Sequence, residues 1–308
     1  MTDHDHNRLS SIRTERRPDW LDDRLYPFAS HFADLDGHRI HYIDEGQGPT
    51  LLFLHAVPLW SFQYRDIICQ LRTRFRCIAV DFPGFGLSIA APGFHNTLAG
   101  TSQVVERFIV ALGLTDITLV AHDTGGAVGL GVVARHPEWF RGLVLSNGFA
   151  WPLNEYTRIY RALRFAGSRI GRFLIVNLNV FVKQTGKILA GGKLSERELQ
   201  AYRGPFLTRG ARFHQHDMLK SVTHSREYLV DLNQRLRELP PLPVLFTWGD
   251  DDALYKAGLL QRFEALFPHH HVLLIEGGGH IPQEDAPEQI ATSIAEWWDS
   301  SVQKAQPA

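Results

Sequence analysis

The chain has 308 residues, 44% of them hydrophobic, and sets 32 Lys and Arg against 33 Asp and Glu for a net charge of −1. That length builds one large core plus a smaller inserted module, and the balanced charge excludes the basic face of a nucleic-acid binder. Two cysteines, Cys69 and Cys77, are too few for a secreted disulfide scaffold, so the cytoplasm is the expected compartment.

In chain order, residues 1–26 read as a polar tail. Its first 17 residues lack the apolar core of a secretory leader, and His4 and His6 read as part of that tail rather than as metal ligands. No stretch reaches the roughly 20 apolar residues of a membrane span, so no membrane partner is expected. Residues 31–45 alternate about Asp36-Gly37, a hairpin signal. Short apolar runs follow at 51–54, 78–80, 117–121, 143–145, 244–248 and 272–275. They read as strands buried on both faces of a parallel sheet. Helical periodicity fills 102–112, 126–136 and 286–299 between them, which predicts a mostly parallel, doubly wound α/β sheet. The alternation breaks over 152–225, a stretch rich in Phe, Tyr, Arg and Leu with glycines at 167, 171, 186, 191, 192 and 210. It reads as a helical cap over the carboxyl ends of the strands, dividing the core into 27–151 and 226–303.

The run Leu119-Val120-Ala121-His122-Asp123-Thr124-Gly125-Gly126-Ala127 has the layout of a nucleophile elbow: an apolar strand, one raised side chain, two glycines and a helix. A serine there serves acyl transfer. An aspartate there can displace a leaving group at carbon to give an enzyme ester, which water then cleaves with a general base and its orienting acid. His280, after Gly277-Gly278-Gly279, is the candidate base. Asp252, in Gly249-Asp250-Asp251-Asp252, is the candidate orienter, with Asp250 and Asp251 as rivals. Backbone N–H groups of Val57 and Thr124 are the candidate oxyanion donors, since Pro58 has none to give. His55 and His122 read as backbone-holding histidines. His269, His270 and His271 are consecutive, so a strand splays them apart and no metal site is expected. No nucleotide or other cofactor motif occurs.

His55-Ala56-Val57-Pro58-Leu59-Trp60-Ser61-Phe62, Asp81-Phe82-Pro83-Gly84-Phe85-Gly86-Leu87-Ser88, the Asp123 elbow and His280-Ile281-Pro282-Gln283-Glu284-Asp285 together resemble the haloalkane dehalogenase family of α/β-hydrolases. The likeness is greatest to the third subfamily, which overlaps the β-lactone decarboxylases of olefin synthesis. It runs from about residue 27 to 299. The resemblance implies an α/β-hydrolase fold with an inserted cap, a small apolar substrate, no cofactor and the roles given above. Two positions depart from it. Val57 stands where the family has Asn and Thr124 where it has Trp, the side chains that donate N–H groups to a leaving halide. Trp60 and Trp151 are candidate replacements. Phe149, Phe181 and Ile281 are further pocket candidates, among cap aromatics that also include Phe165, Phe173, Phe206 and Phe213. Epoxide or strained-lactone opening with the same nucleophile is the alternative. Epoxide opening would draw its acids from Tyr156, Tyr160, Tyr202 and Tyr228. A non-catalytic ligand-binding protein on this fold is the second alternative. A serine esterase using Ser88 or Ser146 lacks the elbow's glycines.

Overall fold

The computed structural model describes residues 17–183 and 194–303. The chain opens with β1 (His31–Leu35) and β2 (His38–Glu45), antiparallel across Asp36 and Gly37, whose φ values of 47° and 83° make the turn that matches strand twist. The six apolar runs form β3 (Thr50–Leu54), β4 (Arg76–Val80), β5 (Ile117–His122), β6 (Phe140–Ser146), β7 (Val244–Gly249) and β8 (His270–Ile275). The sheet order is β1-β2-β4-β3-β5-β6-β7-β8, parallel from β4 onward. This is the expected mostly parallel, doubly wound α/β-hydrolase sheet.

The winding reverses between β3 and β5. Their following loops leave the carboxyl edge in opposite directions and open a crevice between them. The loop at Ala56 and Val57 and the turn at Asp123 both lie there.

Helices α1 (Arg65–Leu71), α2 (Leu98–Ala111) and α3 (Thr124–Arg135) precede the inserted segment. Within it lie α4 (Thr157–Ala166), α5 (Arg169–Leu178), α6 (Val180–Lys183), α7 (Glu196–Arg203) and α8 (Arg209–His224). Then come α9 (Arg226–Leu236), α10 (Ala253–Lys256), α11 (Leu259–Leu266), α12 (Pro282–Asp285) and α13 (Pro287–Trp297). Helices α1 and α13 pack together on one face of the sheet, and α2, α3 and α9 on the other. Helices α4, α5 and α8 pack on one another. Among the described residues, no helix is long and apolar enough to cross a membrane.

Two expectations are corrected. β8 is not buried on both faces: it is the edge strand, and Val272 and Leu274 are 41% and 43% exposed. An apolar run fixes the strand but not the layer above it. The polar tail does not extend to residue 26 either. Leu21 and Tyr26 are buried, the Tyr26 hydroxyl lies 2.6 Å from Ser61 Oγ, and Trp20 packs edge-on against Trp60. His4, His6, Gly186, Gly191 and Gly192 lie outside the described residues.

Buried Arg65 fastens the inserted segment to the core. Its guanidinium makes a bidentate pair with Glu284 of α12 at 2.5 and 2.9 Å and reaches Glu198 of α7 at 2.8 Å. The Tyr202 hydroxyl also bonds Glu284.

Candidate active site

Asp123 stands between β5 and α3 with φ 49° and ψ −118°, a backbone conformation that a non-glycine residue occupies only under strain. The strain is imposed by the crevice. A Cβ added at Gly125 would meet Leu54 O at 2.3 Å and His55 O at 2.7 Å, so α3 can start this close to β3 only with glycine there. Gly126 has open space about it, so the close approach needs one glycine rather than two.

Thr124 gives both its backbone N–H and its hydroxyl to the Asp123 carboxylate; the hydroxyl donates to Oδ2 at 3.1 Å. The same oxygen, Thr124 Oγ1, accepts the Val57 N–H at 2.9 Å. The structure therefore modifies the expected oxyanion pair. The Thr124 N–H faces the carboxylate, but the Val57 N–H is taken, and its polarisation reaches Asp123 through the Thr124 hydroxyl.

His280 lies after β8 and Asp252 after β7. His280 Nδ1–H donates to Asp252 Oδ1 at 3.1 Å. Asp252 is 4% exposed, and its Oδ2 is buried with no hydrogen-bond partner among the described residues. The rivals turn elsewhere: Asp250 accepts from the Gly277 N–H at 2.7 Å and Asp251 pairs with Lys256. Burial opposes a charge on His280, but the Asp252 hydrogen bond and the charges of Asp252 and Asp123 outweigh it and raise its pKa to about 9. Burial raises the Asp123 pKa, against the pull of His280 and of both Thr124 donors.

Asn147, which the motif reading passed over, holds this corner together. Its Nδ2 donates to Gly279 O at 3.0 Å and His280 O at 3.3 Å, and its Oδ1 accepts the Gly249 N–H at 3.1 Å. One side chain thus ties the ends of β6 and β7 to the His280 loop. An Asn just past an apolar run is the only sequence signal for it, and the structure gives it a φ of 34°. His122 Nε2–H donates to His280 O at 2.7 Å. His55 Nδ1–H donates to Ala56 O, and His55 Nε2 accepts the Phe82 N–H. Burial holds both histidines neutral, with His55 at about 4.

Asp123, Asp252 and His280 meet at a cavity of about 300 Å³. Val57, Phe149, Phe181 and Ile281 line it, with Ile159, Leu163, Leu219 and Val222 from the inserted helices. Trp60 and Trp151 do not. Trp60 Nε1–H is spent on Ala201 O at 3.0 Å, and Trp151 packs on Phe263 with Arg262 over its ring. Their pocket assignment is corrected: apolar packing drew both indoles into the core. No tyrosine lines the cavity among the described residues. Tyr202 and Tyr228 bond Glu284 and Ala127 O, and Tyr156 lies 3.3 Å from Arg262. Phe165 and Phe173 are exposed, and Phe206 is core. The described residues gather no cluster of three or more His, Cys, Asp or Glu as metal ligands.

An α/β hydrolase fold family model matches residues 49–287. Haloalkane dehalogenase 2 of Mycobacterium tuberculosis is 35% identical over 281 residues, covering 89% of this chain and 96% of that protein. The cis-3-alkyl-4-alkyloxetan-2-one decarboxylase of Shewanella oneidensis is 31% identical over 282 residues, covering 88% and 89%. The crystal structure of haloalkane dehalogenase DbeA from Bradyrhizobium elkani superposes with a TM-score of 0.81 at 27% identity, covering 91% of this chain and all of that one. With fold, sheet order and motifs in agreement, the chain belongs to the α/β-hydrolase family, as a haloalkane dehalogenase-like hydrolase.

Proposed function

We propose that Asp123 attacks a ring carbon of a small, apolar, strained oxygen heterocycle, a β-lactone or epoxide, with His280 serving first as acid and then as base while Asp252 holds its ring. The supporting observation is the set of proton donors at the cavity: the Thr124 hydroxyl and N–H and the His280 ring, with no indole, amide or phenol among the described lining residues. A departing halide takes no proton and needs N–H dipoles about it in so apolar a space. A ring oxygen stays attached and takes a proton.

An Asp123 carboxylate oxygen bonds to the ring carbon as the ring C–O bond breaks. The released electron pair stays on the ring oxygen, which takes the His280 Nε2 proton. Asp123 is now an ester (an anhydride where the attacked carbon is a lactone carbonyl) and has lost its charge. One of the charges that held the proton on His280 is gone, so His280 stays neutral and acts as base. Water attacks the Asp123 carboxyl carbon and gives its proton to His280. The tetrahedral intermediate expels the product oxygen, which takes the proton of the hydroxyl just added, so Asp123 is restored as a carboxylate and His280 is again protonated. The net reaction adds one water. An ester formed at the alkyl ring carbon of a β-lactone has a second fate: the bond to the freed carboxylate breaks to release carbon dioxide, its electrons form an alkene, and the Asp123 C–O bond breaks to restore the carboxylate; oxetanone decarboxylation is what one relative's name describes.

Hydrolysis of haloalkanes by the same ester is the second reading, favoured by the relative at 35% identity. A chain-matched β-lactone, epoxide and bromoalkane, each with Asp123→Ala as blank, separate the two. Opening of an oxygen ring, with heavy oxygen from labelled water in Asp123 after turnover, is expected. Halide release outpacing ring opening would replace the substrate assignment, and an unlabelled Asp123 after turnover that yields the hydrated product would remove the ester route. The cytoplasm suits a chain whose two cysteines, Cys69 and Cys77, are unpaired.

A further inference from the structure

The outer face of the inserted helices carries a surface that the reaction does not use. Among the described residues, half of the exposed large hydrophobics fall there: Phe165, Ile170, Phe173, Leu178 and Leu207, each between 46% and 65% exposed. They form one run. A Cβ at Gly171 would meet Phe165 O at 2.3 Å, so the start of α5 abuts the end of α4 and brings Phe165 beside Ile170 and Phe173. At the other end, Arg212 bonds both Val176 O and Leu207 O, and Arg209 bonds Asn177, which sets Leu207 beside Leu178. A monomer seldom leaves so many large apolar side chains together in water.

The segment that carries four of these five residues is basic. Residues 156–195 hold eight Arg and Lys and no Asp or Glu, which leaves 24 basic against 33 acidic residues in the rest of the chain. Arg158, Arg161, Arg164 and Arg169 are exposed and make no ion pair among the described residues. On α4, Arg158, Arg161 and Phe165 fall on the outward face, while Ile159 and Leu163 line the cavity on the inward one. On α5, Ile170 and Phe173 face outward with Arg169 beside them.

We propose that this face, with Phe165, Ile170 and Phe173 set among Arg158, Arg161, Arg164 and Arg169, docks on the surface of an anionic lipid bilayer. Apolar side chains enter the headgroup boundary and arginines pair with lipid phosphates. The charge selects this occupant: a second copy of the chain would bring the same arginines against themselves, at a cost in repulsion. No spanning segment is needed for such contact. The inference is independent of the reaction proposed above.

Flotation of the full chain with phosphatidylcholine vesicles, with and without phosphatidylglycerol, at low and near-molar salt, tests it. The variants are the pairs Ile170→Glu with Phe173→Glu and Arg161→Glu with Arg164→Glu, all surface positions away from the cavity lining. Binding to phosphatidylglycerol vesicles is expected, lost at high salt and weakened roughly tenfold or more by either pair, with circular dichroism unchanged. The proposal is overturned by no binding at low salt, by binding that both pairs leave intact, or by a concentration-dependent dimer that the same pairs abolish without vesicle binding, which would make a second copy the occupant.

Discussion

Thr124→Val removes one oxygen and leaves the shape. That oxygen both accepts the Val57 N–H at 2.9 Å and donates to Asp123 Oδ2 at 3.1 Å. Its two bonds act on different steps. While Asp123 is a carboxylate, the hydroxyl stabilises a charge that the first step must consume, so losing it does not slow ring opening. In the second step an oxyanion grows on the Asp123 carboxyl oxygen, and the hydroxyl, polarised by the Val57 N–H behind it, is aimed there. A hydrogen bond to a charged group is worth about 1.5–3 kcal/mol, or roughly 10- to 160-fold in rate, and loss of an oxyanion donor costs roughly 10²- to 10³-fold. The Val57 N–H is also left buried without a partner, a stability cost of about 1–3 kcal/mol. Rapid-quench mass spectrometry under single turnover reads both steps. Thr124→Val should form the Asp123 adduct at the wild-type rate or faster and hydrolyse it about tenfold to several-hundredfold more slowly, so that adduct accumulates. Thr124→Ser should restore hydrolysis. Equal slowing of both steps, or no accumulation, would refute the relay.

Three more perturbations probe the frame around that oxygen. Asp252→Asn removes a charge that raises the His280 pKa to about 9, so the alkaline limb of kcat/KM, set by loss of the His280 proton, should move to lower pH; a fixed limb would separate His280 from it. Asn147→Ala releases the His280 loop and orphans the Gly249 N–H; kcat should fall with KM held, and Tm should drop by several degrees for an expected loss of about 1–3 kcal/mol. Glu284→Gln leaves the buried Arg65 charge undercompensated, which denaturant titration should read as about 3–5 kcal/mol of lost stability.

How much of this was legible in the sequence follows from where each signal comes from. Strands buried among other strands must be apolar at every position, so β3 to β7 stood out. The elbow was readable because its strain demands small residues in fixed order, and Gly125 carries that demand at 2.3 Å from Leu54 O. Asp252 and His280 were found because strand-end glycines mark loops on the carboxyl edge. β8 misled as to burial because an edge strand and a central one write the same apolar run when only one neighbour is missing.

The pocket was far less legible, for a related reason. A tryptophan is apolar whether it lines a cavity or fills the core behind it, and its N–H is useful only where it points. Trp60 and Trp151 follow motif residues closely, yet one spends its N–H on Ala201 O and the other is packed against Phe263. Asn147 shows the converse. It carries no motif, but it sits where three loops converge and a single amide can satisfy two carbonyls and one N–H. Thr124 falls between these cases: sequence marked it as a lost indole donor, whereas its neighbours turn its hydroxyl into the link between Val57 and Asp123. The substitution that removed a halide donor therefore supplies a donor to the carboxylate itself, and the chemistry available to the site shifts from stabilising a departing anion toward stabilising the oxyanion of ester cleavage.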